Sequence, residues 1–468
     1  MIPIVCRNSR HLLNFGERPA RTFAFPILWT AVWLLVSRVS PVGRLITWTP
    51  LVGIDSYRWL RSVLGFSGID WIVAMWANVA AETLEGFLSD YNTEEILIED
   101  LTEPPKEQRN TPRLSPSIAM LLILSLPSFF IRPSNLPLPV LSSDTTPLSV
   151  ACILPPPSTS GSQLERFMDE TKHYTSMAKI LLWPEGAVTF ESEKEKNEAF
   201  DLVLNITSTS KTWVGVSFEE RLPPNGDRRD GLRRNGLALI GRDGVQLTYY
   251  KRKLVPIAES FSQITLNEDP SVEVIQYPRP NDIPKKEWDG HDTRPISITA
   301  SICLDFAAPL TSLESRPSLI LAPAKTWHVG VGRAMYEMAR ARGEEVGAEV
   351  LWCDGGAGGL SGVAGDVQVG GGSWVKRIGV AYPPEEKKTV YAFGGDILVM
   401  GVLFAASGGL WVIHDRKLEI MSLFSPYVPS VRATMRNLFE NIRNRLPGRR
   451  PAENVAATNE HTPLLIDA

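Results

Sequence analysis

The sequence predicts an α/β domain flanked by membrane-spanning helices. Three observations predict it. Short apolar runs alternate with polar helical stretches between about Pro133 and Asp396. Long, nearly uncharged apolar runs lie on both sides of that block. Three short strings punctuate the block and its chemistry: LLWPEGAV around Glu185, YYKRKLVP around Lys251 and SICLDF around Cys303.

The first apolar run, Phe23 to Val39, carries no charge before Arg38. It approaches the roughly 20 residues that a helix needs to cross a bilayer. Arg7, Arg10, Arg18 and Arg21 precede it like the charged start of a signal peptide. Pro26, Trp29 and Trp33, with no small-residue cleavage site, favour a retained anchor. The second run, Gly65 to Leu84, contains Asp70 and Glu82 and reads equally as a buried helix of a soluble domain. The third, Ser117 to Ile131, is uncharged but short, and the fourth, Ile397 to His414, is the cleanest.

These runs divide the chain into a membrane region at 1–132 with about three spans, a catalytic block at 133–396, a final span at 397–414 and a tail at 415–468. Three spans before the block and one after it place both ends on one side. Basic residues flank both ends, among them Arg416, Lys417, Arg432 and Arg436. The positive-inside rule then puts both termini in the cytosol and the block on the lumenal or extracytoplasmic face. In the tail, Val431, Met435, Leu438, Phe439, Ile442 and Leu446 share one face of an expected interfacial helix. Glu460 followed by Leu464 and Leu465 resembles an acidic dileucine sorting signal, which points to a eukaryotic endomembrane.

Within the block, 148–155 and 179–185 read as strands joined by a helix over 161–178. A helix over 194–207 leads to a strand over 211–220, and 236–251 has the alternation of a hairpin turning at Arg242–Gly244. A strand ending at Cys303 follows, then a strand over 318–327, a helix over 332–347 and strands from Glu349 to Val369. Such alternation belongs to an α/β domain with buried strands.

Composition excludes several functions. A net charge of −4 over 468 residues gives nucleic acid no general electrostatic footing. The cysteines Cys6, Cys152, Cys303 and Cys353 form no CxxC or metal-ligand spacing, so neither a disulfide framework nor a zinc site is expected. The histidines form no HExxH pattern. No metal and no cofactor is expected.

The chemistry is expected from Glu185, Lys251 and Cys303, each near the end of a strand. A shielded carboxylate beside a thiol acts as a general base. A nearby ammonium lowers the thiol pKa and stabilises an oxyanion. Taken singly, a strand-end Cys is more often a small core residue, and Glu and Lys are more often solvated charges. Their order and flanking residues set them apart.

Those strings resemble the carbon–nitrogen hydrolase (nitrilase) superfamily, and within it the apolipoprotein N-acyltransferase branch. The resembling segments are Trp183-Pro184-Glu185, Tyr249 through Lys251 to Leu254-Val255-Pro256 and Glu259, and Ile302-Cys303-Leu304-Asp305. The register selects Lys251 over Lys253. Met338 to Gly347 and Gly359 to Gly362 resemble further family segments. The resemblance implies a nitrilase-type α/β/β/α sandwich flanked by transmembrane helices. It implies Glu185 as base, Cys303 as the nucleophile that becomes a thioacyl-enzyme, Lys251 as stabiliser of the tetrahedral intermediate and Glu259 as a supporting residue. Trp327 matches a tryptophan of a post-strand segment and is a candidate substrate contact. The partners implied are a phospholipid acyl donor, an amine acceptor of unknown identity and the membrane. The chain departs from the family pattern at Ile257-Ala258, Leu304, Asp305 and within Ala324-Lys325-Thr326-Trp327, where a family asparagine is replaced. Two other functions compete: an amidase in which water accepts the acyl group, and a noncatalytic membrane scaffold.

Overall fold

The computed structural model describes residues 18–96, 116–130, 136–156, 161–223, 231–266 and 268–406. All fall within one compact unit, Met1–Ser407. The tail helix, the dileucine pattern and the end of the fourth apolar run lie outside the described residues.

Helix α1 (Arg18–Val39) leads through a short turn, Gly43–Ile46, to α2 (Arg61–Ile96). The segments Thr22–Val39 and Asp55–Glu85 are each long and apolar enough to cross a membrane by length and composition. Helix α2 kinks at Gly65, where φ is 57° and the Tyr391 ring occupies the space a side chain would need. Asp70, the residue that made the second run ambiguous, is buried against Arg44 and accepts a bond from Thr49 Oγ1 at 2.5 Å. A charge in an apolar helix persists when it is paired in this way. The third expected span is instead two short helices, α3 (Pro116–Ser125) and α4 (Pro127–Phe130), neither long enough to cross a membrane. Pro127 starts the second of them. With two candidate spans before the block among the described residues instead of three, the parity count no longer places the block opposite the N-terminus.

Strand β1 (Thr145–Cys152), helix α5 (Gln163–Tyr174), strands β2 (Ile180–Leu182) and β3 (Val188–Phe190), helix α6 (Glu193–Ser210) and strand β4 (Trp213–Arg221) follow. Ser162 and Glu165 form a reciprocal capping box that starts α5. Ser192 caps α6 through Glu195 N–H, and Lys211 in the left-handed region closes it. Strands β5 (Arg233–Gly241) and β6 (Gly244–Tyr250) form the expected hairpin. Then come β7 (Glu273–Pro278), β8 (Thr293–Ala300), β9 (Leu319–Ala324), helix α7 (Val329–Val346), β10 (Glu349–Asp354), β11 (Leu360–Val363), β12 (Asp366–Val369), β13 (Trp374–Ala381) and helix α8 (Val390–Ala406). Helix α8 begins before the expected Ile397, so the boundary at 396 falls inside it.

Two mixed sheets result. One runs β13-β1-β2-β4-β5-β6, with β3 also paired to β4; the other runs β12-β11-β10-β9-β8-β7. Strand alternation assigns each residue a face. Leu148, Val150, Ile180, Leu182, Leu237 and Leu239 join the core shared with Ile298 and Leu321 of the second sheet. Ala151, Leu181, Val214 and Val216 turn the other way, onto Phe167, Met168 and Val203 of α5 and α6. Helix α7 packs on the second sheet through Met335, Tyr336 and Ala339. The layers are therefore helix, sheet, sheet, helix.

The structure corrects the cysteine reading. Cys152 and Cys353 form a disulfide that staples β1 of one sheet to β10 of the other. Their separation of 201 residues hides the pair from any spacing rule. Strands β7 and β13, an edge of each sheet, also escape the periodicity. Edges carry charge to discourage further pairing, and β13 displays Lys376 and Arg377, the latter bound to Asp282 at 2.7 Å.

Candidate active site

The parallel strands β2, β8, β9 and β10 end on one side of the sandwich, where loops leave the sheets and side chains converge. Glu185 stands just after β2. Trp183 keeps the ladder through its N–H to Gly215 O at 2.9 Å, and its indole donates to Thr171 Oγ1 of α5 at 2.9 Å. Pro184 then ends the ladder, and Gly186, at φ 61°, completes a turn. The Glu185 N–H donates across to Ala324 O at the end of β9, 3.3 Å away. One residue thus bridges the two sheets and points its carboxylate inward.

Lys251 leaves β6 with its N–H on Asn235 O of β5 at 2.9 Å. Its side chain is wholly buried. Nζ donates to Glu185 Oε1 at 2.5 Å and to Glu259 Oε1 at 2.7 Å. Asn235 Nδ2 donates to the same Glu185 oxygen at 2.7 Å. The other Glu259 oxygen accepts the Val255 N–H at 2.8 Å, which ties the loop after Lys251 to its own carboxylate.

Cys303 differs from expectation. Strand β8 stops at Ala300, and Cys303 opens a 3₁₀ turn, Cys303–Ala307, with φ 45°. A side chain in that left-handed region is strained by about 1–3 kcal/mol. Asp305 holds the turn: Oδ1 accepts the N–H groups of Arg252 at 3.0 Å and Lys253 at 2.6 Å, and Oδ2 accepts Tyr249 O–H at 2.8 Å and Ile302 N–H at 3.2 Å. The thiol turn is therefore clamped to the segment that carries Lys251. The Cys303 thiol lies close enough to the Glu185 carboxyl and the Lys325 backbone for both to act on its proton affinity, Glu185 raising it and Lys325 lowering it. Asp354, at the end of β10, anchors that neighbouring loop by accepting the Thr326 N–H at 2.9 Å and the Gly356 N–H at 3.0 Å.

Electrostatics follow from burial. Desolvation pushes the Cys303 thiol well above its ordinary range; Glu185 adds to this and Lys251 opposes it. Desolvation also raises Glu185, with Lys251 lowering it and Glu259 raising it. Burial alone would lower Lys251, but Glu185, Cys303 and Glu259 outweigh it and hold the ammonium above its usual range. At rest the site thus contains a fixed cation, a neutral thiol and a carboxyl of raised proton affinity. A carboxylate poised in this way can take the thiol proton, and the ammonium can face an oxyanion.

The structure brings Glu185, Lys251, Glu259 and Cys303 together. It leaves Trp327 outside the cluster, 67% exposed on the loop that also carries Lys325. Asn235, Tyr249, Asp305 and Asp354 were not expected from sequence as working residues. Asp305 and Tyr249 carried a signal, their places in the cysteine and lysine strings.

No family model matches the chain, and no curated protein matches it. Solved structures do. An amidase from Nesterenkonia sp. matches with TM-score 0.36 and 15% identity over 53% of this chain and 93% of its own. A CN-hydrolase superfamily protein from Xanthomonas campestris, bearing an arsenic adduct in its active site, matches with TM-score 0.35 and 15% identity over 50% of this chain and 91% of its own. A glutamine-dependent NAD(+) synthetase from Cytophaga hutchinsonii matches with TM-score 0.35 and 13% identity over 50% of this chain, which spans only 43% of that protein. These TM-scores are low, and the functional reading rests on the residues of the site.

Proposed function

We propose that this chain is a membrane-bound cysteine acyltransferase with carbon–nitrogen hydrolase chemistry, resembling the apolipoprotein N-acyltransferase branch. A single observation carries the reading. Lys251 Nζ lies fully buried between Glu185 at 2.5 Å and Glu259 at 2.7 Å, with the buried Cys303 thiol close enough for the same Glu185 to act on its proton affinity.

Glu185 accepts the thiol proton as sulfur attacks an ester carbonyl carbon. Lys251 faces the oxygen that gains negative charge. Collapse breaks the carbon–oxygen bond, and the leaving alcohol takes the proton from Glu185. The acyl group is then a thioester on Cys303. An amine attacks it, Glu185 removes the amine proton, and collapse returns that proton to the departing thiolate. Asn235 Oδ1, buried and without a partner among the described residues, is an acceptor for the incoming N–H. Glu259 fixes Lys251 without touching the reacting atoms.

A phospholipid is the proposed donor. Leu28, Val32 and Leu35 of α1 and Phe393 and Ile397 of α8 are exposed apolar residues, suited to lipid contact. The Cys152–Cys353 disulfide supports an oxidising, non-cytosolic setting for the catalytic block. Exposed Asn205 on α6, in an N-x-T pattern, offers a test: glycosylation there reports lumenal exposure.

The decisive experiment incubates purified protein with a phospholipid bearing a labelled acyl chain. A hydroxylamine-sensitive adduct on the native chain, absent from Cys303→Ser, is expected. Release of free fatty acid at the same rate with and without amines assigns water as the acceptor and an amidase- or esterase-type reaction. No adduct and no release, with a folded protein, leaves the scaffold.

A further inference from the structure

A cavity of about 180 Å³ lies beside the nucleophile turn, between the end of α1, the start of α8 and the residues following Cys303. It is separate from the buried triad. Its walls include Arg38, Arg44, Lys253 and Arg342, with Asp396 as the lining carboxylate and Ala307 at its inner end. Carboxylates already engage three of these cations. Arg38 bonds Asp396 at 2.9 Å, Arg44 bonds Asp70, and Arg342 bonds Glu345 at 2.6 Å. Lys253 is exposed and has no hydrogen-bond or ionic partner for its ammonium among the described residues. Four cations against Asp396, Asp70 and Glu345 leave one positive charge in excess. Arg38 is 55% exposed and keeps donors free for a further acceptor.

We infer that this cavity binds a phosphodiester, the headgroup phosphate of the acyl donor; the inference rests on the proposed phospholipid-donor function. Charge, size and position all favour it. The excess of one cation matches the single negative charge of a phosphodiester. At about 30 Å³ per water, the cavity displaces about six waters, room for a phosphate group. Position is the strongest argument. Ala307 is at the far end of the 3₁₀ turn that Cys303 opens, and such a turn rises about 2 Å per residue, so the cavity begins about 8 Å from the nucleophile. In a glycerophospholipid about six bonds of about 1.5 Å join phosphorus to the sn-1 ester carbon, a reach of about 9 Å at most. A phosphate in the cavity therefore lies within one glycerol backbone's reach of the thiol. The seam is tight enough to hold that relation: Gly43, at positive φ, packs so closely on the Ala307 carbonyl that any side chain would collide with it. Arg342 Nε donates to Phe306 O at 3.1 Å, joining the cavity wall to the same turn. Exposed Leu35 and Val39 on α1 and Phe393 and Ile397 on α8 flank the cavity with apolar surface on which acyl chains can lie. Basic side chains at helix ends meet the phosphate level of a bilayer in this arrangement.

The test compares two acyl donors for full-length protein in detergent micelles: phosphatidylethanolamine and 4-nitrophenyl palmitate, which lacks phosphate. Formation of the Cys303 adduct is followed by intact mass spectrometry. Lys253→Glu is expected to lower the ratio of the phospholipid rate to the nitrophenyl-ester rate about tenfold, through KM, the size of one lost charge-assisted hydrogen bond. Arg38→Gln lowers it less, and Lys253→Arg restores it. An unchanged ratio in Lys253→Glu overturns the inference. If the native chain takes the acyl group from the nitrophenyl ester but from no phospholipid, the donor reading fails independently. Calorimetry with inorganic phosphate and glycerol 3-phosphate then decides the cavity. Binding lost in Lys253→Glu keeps a phosphate site fed by a soluble ligand, and absence of binding removes the site.

Discussion

Glu185 and Glu344 are both buried carboxylates among cations, yet they settle in opposite states. Burial raises the proton affinity of each. At Glu344, on α7, two arginines win: Arg61 bonds one oxygen at 2.5 Å and Arg58 the other, and the carboxyl lies below its ordinary range. At Glu185 one lysine is shared with Glu259 and a thiol, and the carboxyl lies above it. The first cluster has two cations for one carboxylate and joins the start of α2 and the turn before it to α7. The second is short of positive charge and so keeps a proton acceptor of high affinity. The same residue type thus serves structure where cations are in surplus and chemistry where they are in deficit.

The largest expected effect breaks the two apart at Glu185. Glu185→Gln removes the base and should slow thioester formation by about 10²–10⁴-fold. Glu259 still pairs Lys251, so the loss of stability should stay below about 2 kcal/mol. A single-turnover assay and a denaturation curve on the same sample measure both. A large loss of stability with modest loss of rate would make Glu185 a structural residue like Glu344.

Glu344→Gln should show the reverse. It strands two guanidinium groups at a buried seam, a loss of about 3–5 kcal/mol, and should leave the chemistry of folded molecules near native. Chemical denaturation in detergent, read by tryptophan fluorescence, checks it. A mutant as stable as the native chain would mean that the arginines find other partners and that the seam is not held by this pair.

The disulfide bears on the geometry that both clusters share. Cys353→Ala opens a loop of 201 residues between the sheets and should cost about 2–5 kcal/mol. Melting with and without reductant should show the same loss in the native chain and no loss in the variant. Equal melting under both conditions in the native chain would show that the sheets need no staple.

Much of the fold was legible because the central strands are buried on both faces. Runs such as Leu148 to Cys152, Trp213 to Phe218 and Leu319 to Ala324 are apolar but for Ser149 and Ser217 for that reason. Strands β7 and β13 were not legible: exposed Val274 breaks the alternation of β7, and Lys376 and Arg377 interrupt the apolar run of β13. At the site, Glu185, Lys251 and Cys303 were legible through their flanking residues. Asn235 and Asp354 stand in no such string, and nothing local marks them. Cys303 was expected to end a strand because Ile296 to Ile302 alternates well. The 3₁₀ turn is imposed instead by Asp305, whose carboxylate draws together four donors from two segments. The arginine seam was hidden for a similar reason. Nothing in the sequence pairs Arg44 with Asp70, or Arg58 and Arg61 with Glu344.

The smallest expected effect, a shift in pH dependence, is the sharpest test of why Glu185 differs from Glu344. Glu259 is a negative charge that raises the Glu185 carboxyl, on top of the larger effect of burial. The base acts only when deprotonated, so the rate of thioester formation falls as pH drops through the pKa of Glu185. In the native chain that acid limb should lie above the ordinary glutamate value of about 4.3. Glu259→Gln removes the neighbouring charge, lowers the proton affinity of Glu185 and should move the limb to lower pH. The pH profile of kcat/KM with 4-nitrophenyl palmitate measures it, since that profile reports the free enzyme. A purely structural Glu259 would reduce the rate at every pH and leave the limb in place. A limb that moved upward would mean that the variant loses more stabilising charge from Lys251 than repulsion from Glu259, and the deficit of cations would not be what poises Glu185.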